Sequence, residues 1–145
     1  MKKVFFLILL FWAPLIATFI EAGSTSVKII VHPSNPVSIL KKTQVSNFFL
    51  KKTTSWETGR KVLPVDQGES SPARINFTEE IHGKEIHSVI SYWQKQIFSG
   101  RDVPPVEKNS DREVISYVLE HPDAIGYVSE GTSVGDGVKV VKVLD

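Results

Sequence analysis

The sequence predicts an α/β domain in which helices pack on the faces of a central mixed sheet. Short β-branched or alternating runs recur along the chain, and segments with apolar residues at helical spacing separate them. Strands that alternate with helices in this way are typical of the α/β class. The chain has 145 residues and no cysteine, so we expect one domain that depends on its hydrophobic core rather than on disulfides.

The first 22 residues have the layout of a secretory signal peptide. Lys2 and Lys3 precede an uncharged run of seventeen residues, 4–20, and small and polar residues follow. We predict cleavage after Ala22, which leaves residues 23–145 as a single domain in the periplasm or outside the cell. The alternative is an uncleaved anchor, because the run reaches the lower limit of about 17 residues for a bilayer-spanning helix. The membrane would then be contacted through this segment alone.

Four strands are predicted, and their residues are 27–31, 61–65, 124–128 and 138–144. Pro64 indicates that the second strand is an edge strand or is close to its end there, because proline has no N–H for a sheet ladder. Residues 101–109, which contain two consecutive prolines, and the glycine-rich residues 129–137 are predicted to be loops.

The first two helices are predicted from their start signals. Thr43 is a candidate N-cap for a short helix whose apolar side comprises Val45, Phe48, Phe49 and Leu50. A serine followed by Pro72 is typical of the start of the next helix. Serine accepts a hydrogen bond from a free backbone N–H, and proline lacks the N–H that would stay unpaired at this position. This helix is predicted to end at Gly83.

The last two helices are predicted from apolar periodicity and capping. Between residues 86 and 98, apolar side chains recur at spacings of three and four, which indicates one buried helix face. Ser110 and Glu113 form the pattern of a capping box at the start of the fourth helix, and Pro122 is predicted to stop that helix.

Two long segments carry a resemblance to a known family. The segment VKIIVHPSNPVSILKKTQVSNFFLKKTTSWETGRKVLPVDQ and the later segment SDREVISYVLEHPDAIGYVSEG resemble the phosphate ABC transporter substrate-binding proteins. Residues 124–128, AIGYV, give the closest match. The resemblance implies the type II periplasmic-binding-protein fold, a phosphate or similar oxyanion ligand, and a transporter or envelope protein as partner.

The chain departs from the family pattern in two respects. Family members bind their ligand between two lobes. The resemblance here covers only one of them, the lobe that lies between the two points where the chain crosses the hinge. The family's anion loop has an arginine four residues before a Ser-Gly-Thr helix start. Alignment on Phe77 puts residues 71–73 over Ser-Gly-Thr and Gln67 over the arginine.

The resemblance therefore implies an altered anion loop, in which the candidate ligand-binding residues are Gln67, Ser70, Ser71 and Arg74. The helix start and the two serine hydroxyls would donate hydrogen bonds to an oxyanion. Arg74 would turn back to supply the positive charge that Gln67 lacks. The alternative is that the serine is only a structural cap and that Arg74 faces solvent.

Other classes of function have little support in the sequence. Without residues 1–22, basic and acidic side chains balance, which argues against nucleic-acid binding. His82 and His87 are five residues apart, which is not the spacing of helical metal ligands, so neither a metal nor another cofactor is expected. No Gly-x-Ser-x-Gly motif frames a nucleophile, so we do not expect an enzyme. The alternative to a phosphate-binding module is an envelope interaction or structural protein that kept the lobe and lost the ligand.

Overall fold

A computed structural model of the chain describes residues 26–145, so the predicted signal peptide and its cleavage site lie outside the described residues. The described part contains one six-stranded sheet, whose strands are β1 Val27–Val31, β2 Ile39–Lys41, β3 Leu63–Gln67, β4 Val106–Lys108, β5 Ala124–Ser129 and β6 Lys139–Leu144. The helices are α1 Lys42–Phe49, α2 Pro72–Phe77, α3 Ile86–Phe98 and α4 Asp111–Glu120. A π-helical turn, Thr78–His82, continues α2.

The sheet is mixed, as predicted, and its strand order is β2-β6-β1-β5-β3-β4. β1 is antiparallel to both of its neighbours, β5 and β6. The outer pairs are parallel: β2 with β6, β3 with β5, and β3 with β4. This topology brings the end of β3 and the residues after β5 to the same region of the sheet, where the candidate site lies.

All four predicted strands are confirmed, although β3 lies two residues later than predicted. The two strands that the sequence did not indicate, β2 and β4, form the edges of the sheet and have three residues each. The prediction of a loop over residues 101–109 is therefore wrong at 106–108. Val106 pairs with Val65 and Lys108 pairs with Gln67, and such a short edge strand shows no detectable alternation.

Pro64 lies near the start of β3, which is not an edge strand because it pairs with both β4 and β5. The N–H of Leu63 donates to the carbonyl of Asp123, next to β5. Since successive N–H groups of a strand point in opposite directions, the position of Pro64 faces the side of β4, which starts only opposite Val65. The proline therefore removes no ladder hydrogen bond.

The helix caps follow the sequence signals in part. The prediction of Thr43 as N-cap is wrong: α1 begins at Lys42, and the Gln44 side chain accepts a hydrogen bond from the backbone N–H of Lys41 at 2.8 Å. At α4, Ser110 Oγ accepts from the N–H of Glu113 at 3.2 Å, as predicted. The carboxylate of Glu113 instead accepts from the N–H of residue 109.

Helices cover both faces of the sheet, as predicted. On one face, α1 and α2 enclose an apolar core, and its largest fully buried members are Phe49, Phe77, Tyr127 and Ile29. On the other face, Val114 and Val118 of α4 pack against β1, β3 and β5. No helix within residues 26–145 is long and apolar enough to cross a bilayer.

Candidate functional site

The predicted anion loop connects β3 to α2. Ser71 is the N-cap of α2, and its Oγ accepts a hydrogen bond from the N–H of Arg74 at 3.4 Å. Pro72 occupies the first helical position, so the predicted helix start is confirmed. The loop thus places Gln67, at the end of β3, close to the first turn of α2.

Arg74 is buried, with only 4% of its side chain exposed. Its Nη1 donates to the carbonyl oxygen of Gln67 at 2.6 Å and to Glu107 Oε1 at 2.8 Å. Its Nε lies 3.4 Å from Asp66 Oδ1. The interpretation of a solvent-facing arginine is therefore wrong. The guanidinium turns back towards the loop because three acceptors from β3 and β4 converge one helical turn into α2.

Asp66 lies beneath this arginine and is also buried. Its Oδ1 accepts a hydrogen bond from the Tyr127 hydroxyl and another from the N–H of Gln67 at 2.9 Å. Burial raises the pKa of Asp66, and the nearby Arg74 charge offsets that effect only in part. Burial and the adjacent Asp66 also raise the pKa of Tyr127, which keeps its hydroxyl a donor.

Burial lowers the pKa of Arg74, but the attraction of Asp66 and the hydrogen bond to Glu107 outweigh it, so the net shift is upward. The guanidinium therefore stays charged inside the fold, because its carboxylate partners compensate for its burial.

The amide side chain of Gln67 is occupied within the protein. Its Nε2 donates to Asp111 Oδ1 at 2.7 Å and to the carbonyl of Tyr127 at 3.2 Å. Its Oε1 accepts from Ser71 Oγ at 2.7 Å. Both polar atoms of the Gln67 side chain are thus hydrogen-bonded to other groups of the chain.

Asp111, at the first position of α4, accepts three hydrogen bonds. They come from Gln67 Nε2, from the N–H of Ser129 at 3.1 Å, and from Thr132 Oγ1 at 2.5 Å. Partial burial opposes ionisation, but the hydrogen bonds from Thr132 and Gln67 outweigh it and lower the pKa of Asp111. An ionised carboxylate of the chain itself therefore accepts the hydrogen-bond donors that converge beside the β3–α2 loop.

Of the four candidate residues, three lie in one network and one does not. Gln67, Ser71 and Arg74 are linked by direct hydrogen bonds. Ser70 is exposed and lies outside this network. We use the name Arg74 cluster for Asp66, Gln67, Ser71, Arg74, Glu107, Asp111 and Tyr127.

Four residues of the Arg74 cluster were not predicted from the sequence: Asp66, Glu107, Asp111 and Tyr127. An acidic residue directly after the N-cap Ser110 is a helix-start signal for Asp111, but that signal does not reveal its partners across the sheet.

The Arg74 cluster is a network of charged and polar groups. Its one cation contacts two carboxyl groups, those of Asp66 and Glu107, and the Ser71 hydroxyl donates to an amide oxygen rather than to a base. Within residues 26–145, no group of three or more His, Cys, Asp or Glu side chains is arranged to hold a metal ion.

A serine and a histidine do meet elsewhere, but in an apolar setting. Ser46 Oγ lies 2.7 Å from His82 Nδ1, and the ring of Phe77 packs edge-on against the imidazole. Burial, followed by the charge of Arg74, lowers the pKa of His82 to about 4. A histidine this weakly basic is neutral near pH 7 and is a poor general base there.

Comparison with known proteins gives matches at the level of structure only. The sequence matches no protein-family model and no curated protein sequence. Among solved structures, a protein from Clostridium perfringens described as a phosphate ABC transporter substrate-binding protein, with bound phosphate, superposes with a TM-score of 0.64 and 23% identity. The match covers 81% of this chain and 44% of that one.

Two further structures give the same picture. An ABC-type phosphate transport receptor from Vibrio cholerae matches with a TM-score of 0.64 and 20% identity, over 81% of this chain and 46% of its own. PstS from Borrelia burgdorferi matches with a TM-score of 0.57 and 15% identity, over 81% and 47% of the two chains. This chain thus spans less than half the length of each, and the resemblance inferred from the sequence is confirmed at the level of the fold.

Proposed function

We propose that this chain, which has the fold of one lobe of the phosphate transporter substrate-binding proteins, is an extracytoplasmic binding module for phosphate or a similar small oxyanion. The supporting observation is the position of Arg74, a fixed cation that turns back to the β3–α2 loop. The location outside the cytoplasm rests on the basic, apolar and small-residue order of residues 2–22.

Two features of the loop suit an oxyanion. The guanidinium is planar, permanently charged and already ordered by Asp66, so its orientation costs little conformational entropy when a ligand binds. Ser71 lies at the start of the same helix, and Ser70 is exposed next to it. We propose Gln67, Ser70, Ser71 and Arg74 as the ligand-binding residues, with Ser70 the one most accessible to a ligand from solvent.

The carboxyl groups of the Arg74 cluster make the proposed site weak. Asp66 and Glu107 already neutralise Arg74, and the exposed Glu69 adds negative charge to the loop. Like charges near an incoming anion reduce both the encounter rate and the affinity. We therefore expect weak binding, with a phosphate Kd of about millimolar order.

A calorimetric titration of phosphate into the purified protein tests the proposal, with sulfate as control. Saturable heat with phosphate preferred over sulfate is the expected result. No heat, together with an unchanged melting temperature at millimolar phosphate, would reject phosphate binding.

One observation favours a second candidate, an envelope interaction or structural protein that kept the lobe and lost the ligand. Within residues 26–145, every buried side-chain nitrogen and oxygen has a hydrogen-bond partner. Asp111 alone takes three donors next to the loop. The loop is thus complete without a ligand, and a transporter or another envelope protein would then be the partner.

The two candidates differ in their response to phosphate and in assembly. The binding module predicts a melting temperature that rises with phosphate concentration, because a ligand that binds only the folded state stabilises it. The interaction protein predicts no such rise.

Analytical ultracentrifugation with and without phosphate also tests whether two copies face each other to rebuild a two-lobed cleft. A monomer under both conditions would exclude that arrangement.

A further inference from the structure

We infer that Glu107 is an internal competitor for the oxyanion, a carboxylate that occupies the solvent-facing side of Arg74 until a ligand displaces it. The inference rests on the proposed function, because it assigns a residue that sets the affinity of the same site. Glu107 belongs to β4, a strand that the sequence did not predict, and it was not among the candidate residues.

The three acceptors around Arg74 differ in their access to solvent. The Asp66 side chain is only 6% exposed, and Gln67, whose carbonyl is the second acceptor, is 2% exposed. The Glu107 side chain is 46% exposed. An anion that arrives from solvent therefore meets Arg74 at the place where the Glu107 carboxylate now lies, 2.8 Å from Nη1.

Glu107 is also the partner that can leave at the smallest cost. Water already solvates part of the half-exposed Glu107 carboxylate, and Asp66 remains as a charged partner of Arg74 after Glu107 leaves. β4 is an edge strand with three residues, so its side chains are not held by a further strand. When Glu107 rotates into solvent, its carboxylate is rehydrated.

Asp66 keeps the guanidinium in place during this exchange. It stays beneath Arg74, with its own hydrogen bonds from Tyr127 and from the N–H of Gln67. A ligand that displaces Glu107 thus replaces one carboxylate by another oxyanion at the same nitrogen and leaves the buried pair intact. The affinity for phosphate is then set by competition with Glu107.

The test is a calorimetric titration of inorganic phosphate into the purified protein and its Glu107→Gln variant. Glutamine keeps the size and removes the charge, so we expect the phosphate Kd to fall about tenfold, through loss of the competing pair and of like-charge repulsion. Glu69→Gln is the matched control, since it also removes one negative charge, from an exposed position of the β3–α2 loop. Melting temperatures confirm that all three proteins are folded.

The outcomes separate this inference from the proposed function. Tighter binding in Glu107→Gln than in both other proteins supports the inference. An equal gain in the two variants would show a general charge effect and would overturn the inference alone. Phosphate binding by the Glu107→Gln variant alone would support Glu107 as a competitor and would reject phosphate as the ligand of the native protein. No binding in any protein would overturn both.

Discussion

Arg74 is a buried cation whose charge is balanced by carboxyl groups from two different strands. Asp66 of β3 lies beneath it, and Glu107 of β4 closes its outer side. Such pairs add little net stability, but removal of one partner leaves a buried charge that is expensive to accommodate. The cluster therefore fixes the geometry of the β3–α2 loop more than it strengthens the fold.

The predicted start of α2 is confirmed, because residues close together in the chain decide its geometry. Ser71 and Arg74 are three residues apart across a helix start, so their contact follows from helix geometry. Glu107, the second acidic partner of Arg74, is 33 residues away on β4, a strand that the sequence did not reveal. Asp66 directly follows the predicted strand 61–65, but nothing in the sequence indicated that it contacts Arg74.

His82 makes the stability of the fold depend on pH, and the fold is less stable at low pH. Its folded-state pKa is about 4, below the ordinary value of 6.5, because the imidazole is buried against Phe77. The unfolded chain therefore binds more protons between these two values. The stabilisation is present above about pH 6.5 and is lost as the pH falls towards 4.

We expect the wild type to lose roughly 2–3 kcal/mol more stability than His82→Gln between pH 7 and pH 4.5. Urea unfolding at a series of pH values measures this difference. His87→Gln is the control, because the His87 side chain is 72% exposed. Parallel pH profiles for the wild type and His82→Gln would refute the assignment.

At the level of elements, strand β5 requires a glycine where α4 crosses it. A Cβ atom at Gly126 would lie 2.6 Å from Val114 Cγ1 and 2.9 Å from Val65 Cγ1. Both valines are fully buried, so neither side chain has room to move. The glycine in the AIGYV segment is thus explained by close packing between helix and sheet.

Gly126→Ala is expected to destabilise the fold by about 1–3 kcal/mol through overpacking. Gly131→Ala is the matched control, because a Cβ there meets no atom within 4 Å. The midpoint of chemical denaturation measures both changes. Equal midpoints for the two variants would contradict the packing account.

The elements that the sequence predicted are the long or strongly patterned ones. Helices α3 and α4 each bury two residues at helical spacing, although Ile97 and Phe98 at the end of α3 are exposed. β1 is apolar except for one lysine, and β5 is an apolar run up to its last residue. β2 and β4 escaped prediction because three residues are too few to show a period. The N-cap of α1 was also missed: it is Lys41, whose backbone N–H donates to the Gln44 side chain, and not Thr43.

For the whole molecule, the fold is that of one lobe, while its export remains a prediction from residues 1–22. Cleavage after Ala22 predicts that the protein isolated from the cell envelope or medium begins at Gly23. Mass spectrometry of the intact protein measures this directly. A chain that retains its first residues in the membrane fraction would instead support the uncleaved anchor.

We propose that the β3–α2 loop and Arg74 form the ligand side of the lobe. The most direct test is an NMR titration of the isotope-labelled protein with phosphate, which follows backbone amides and the Arg74 Nε–H. We predict saturable shifts at Ser70, Ser71 and Arg74, and smaller shifts with sulfate. Saturable shifts confined to another surface, or none at millimolar phosphate, would contradict the claim.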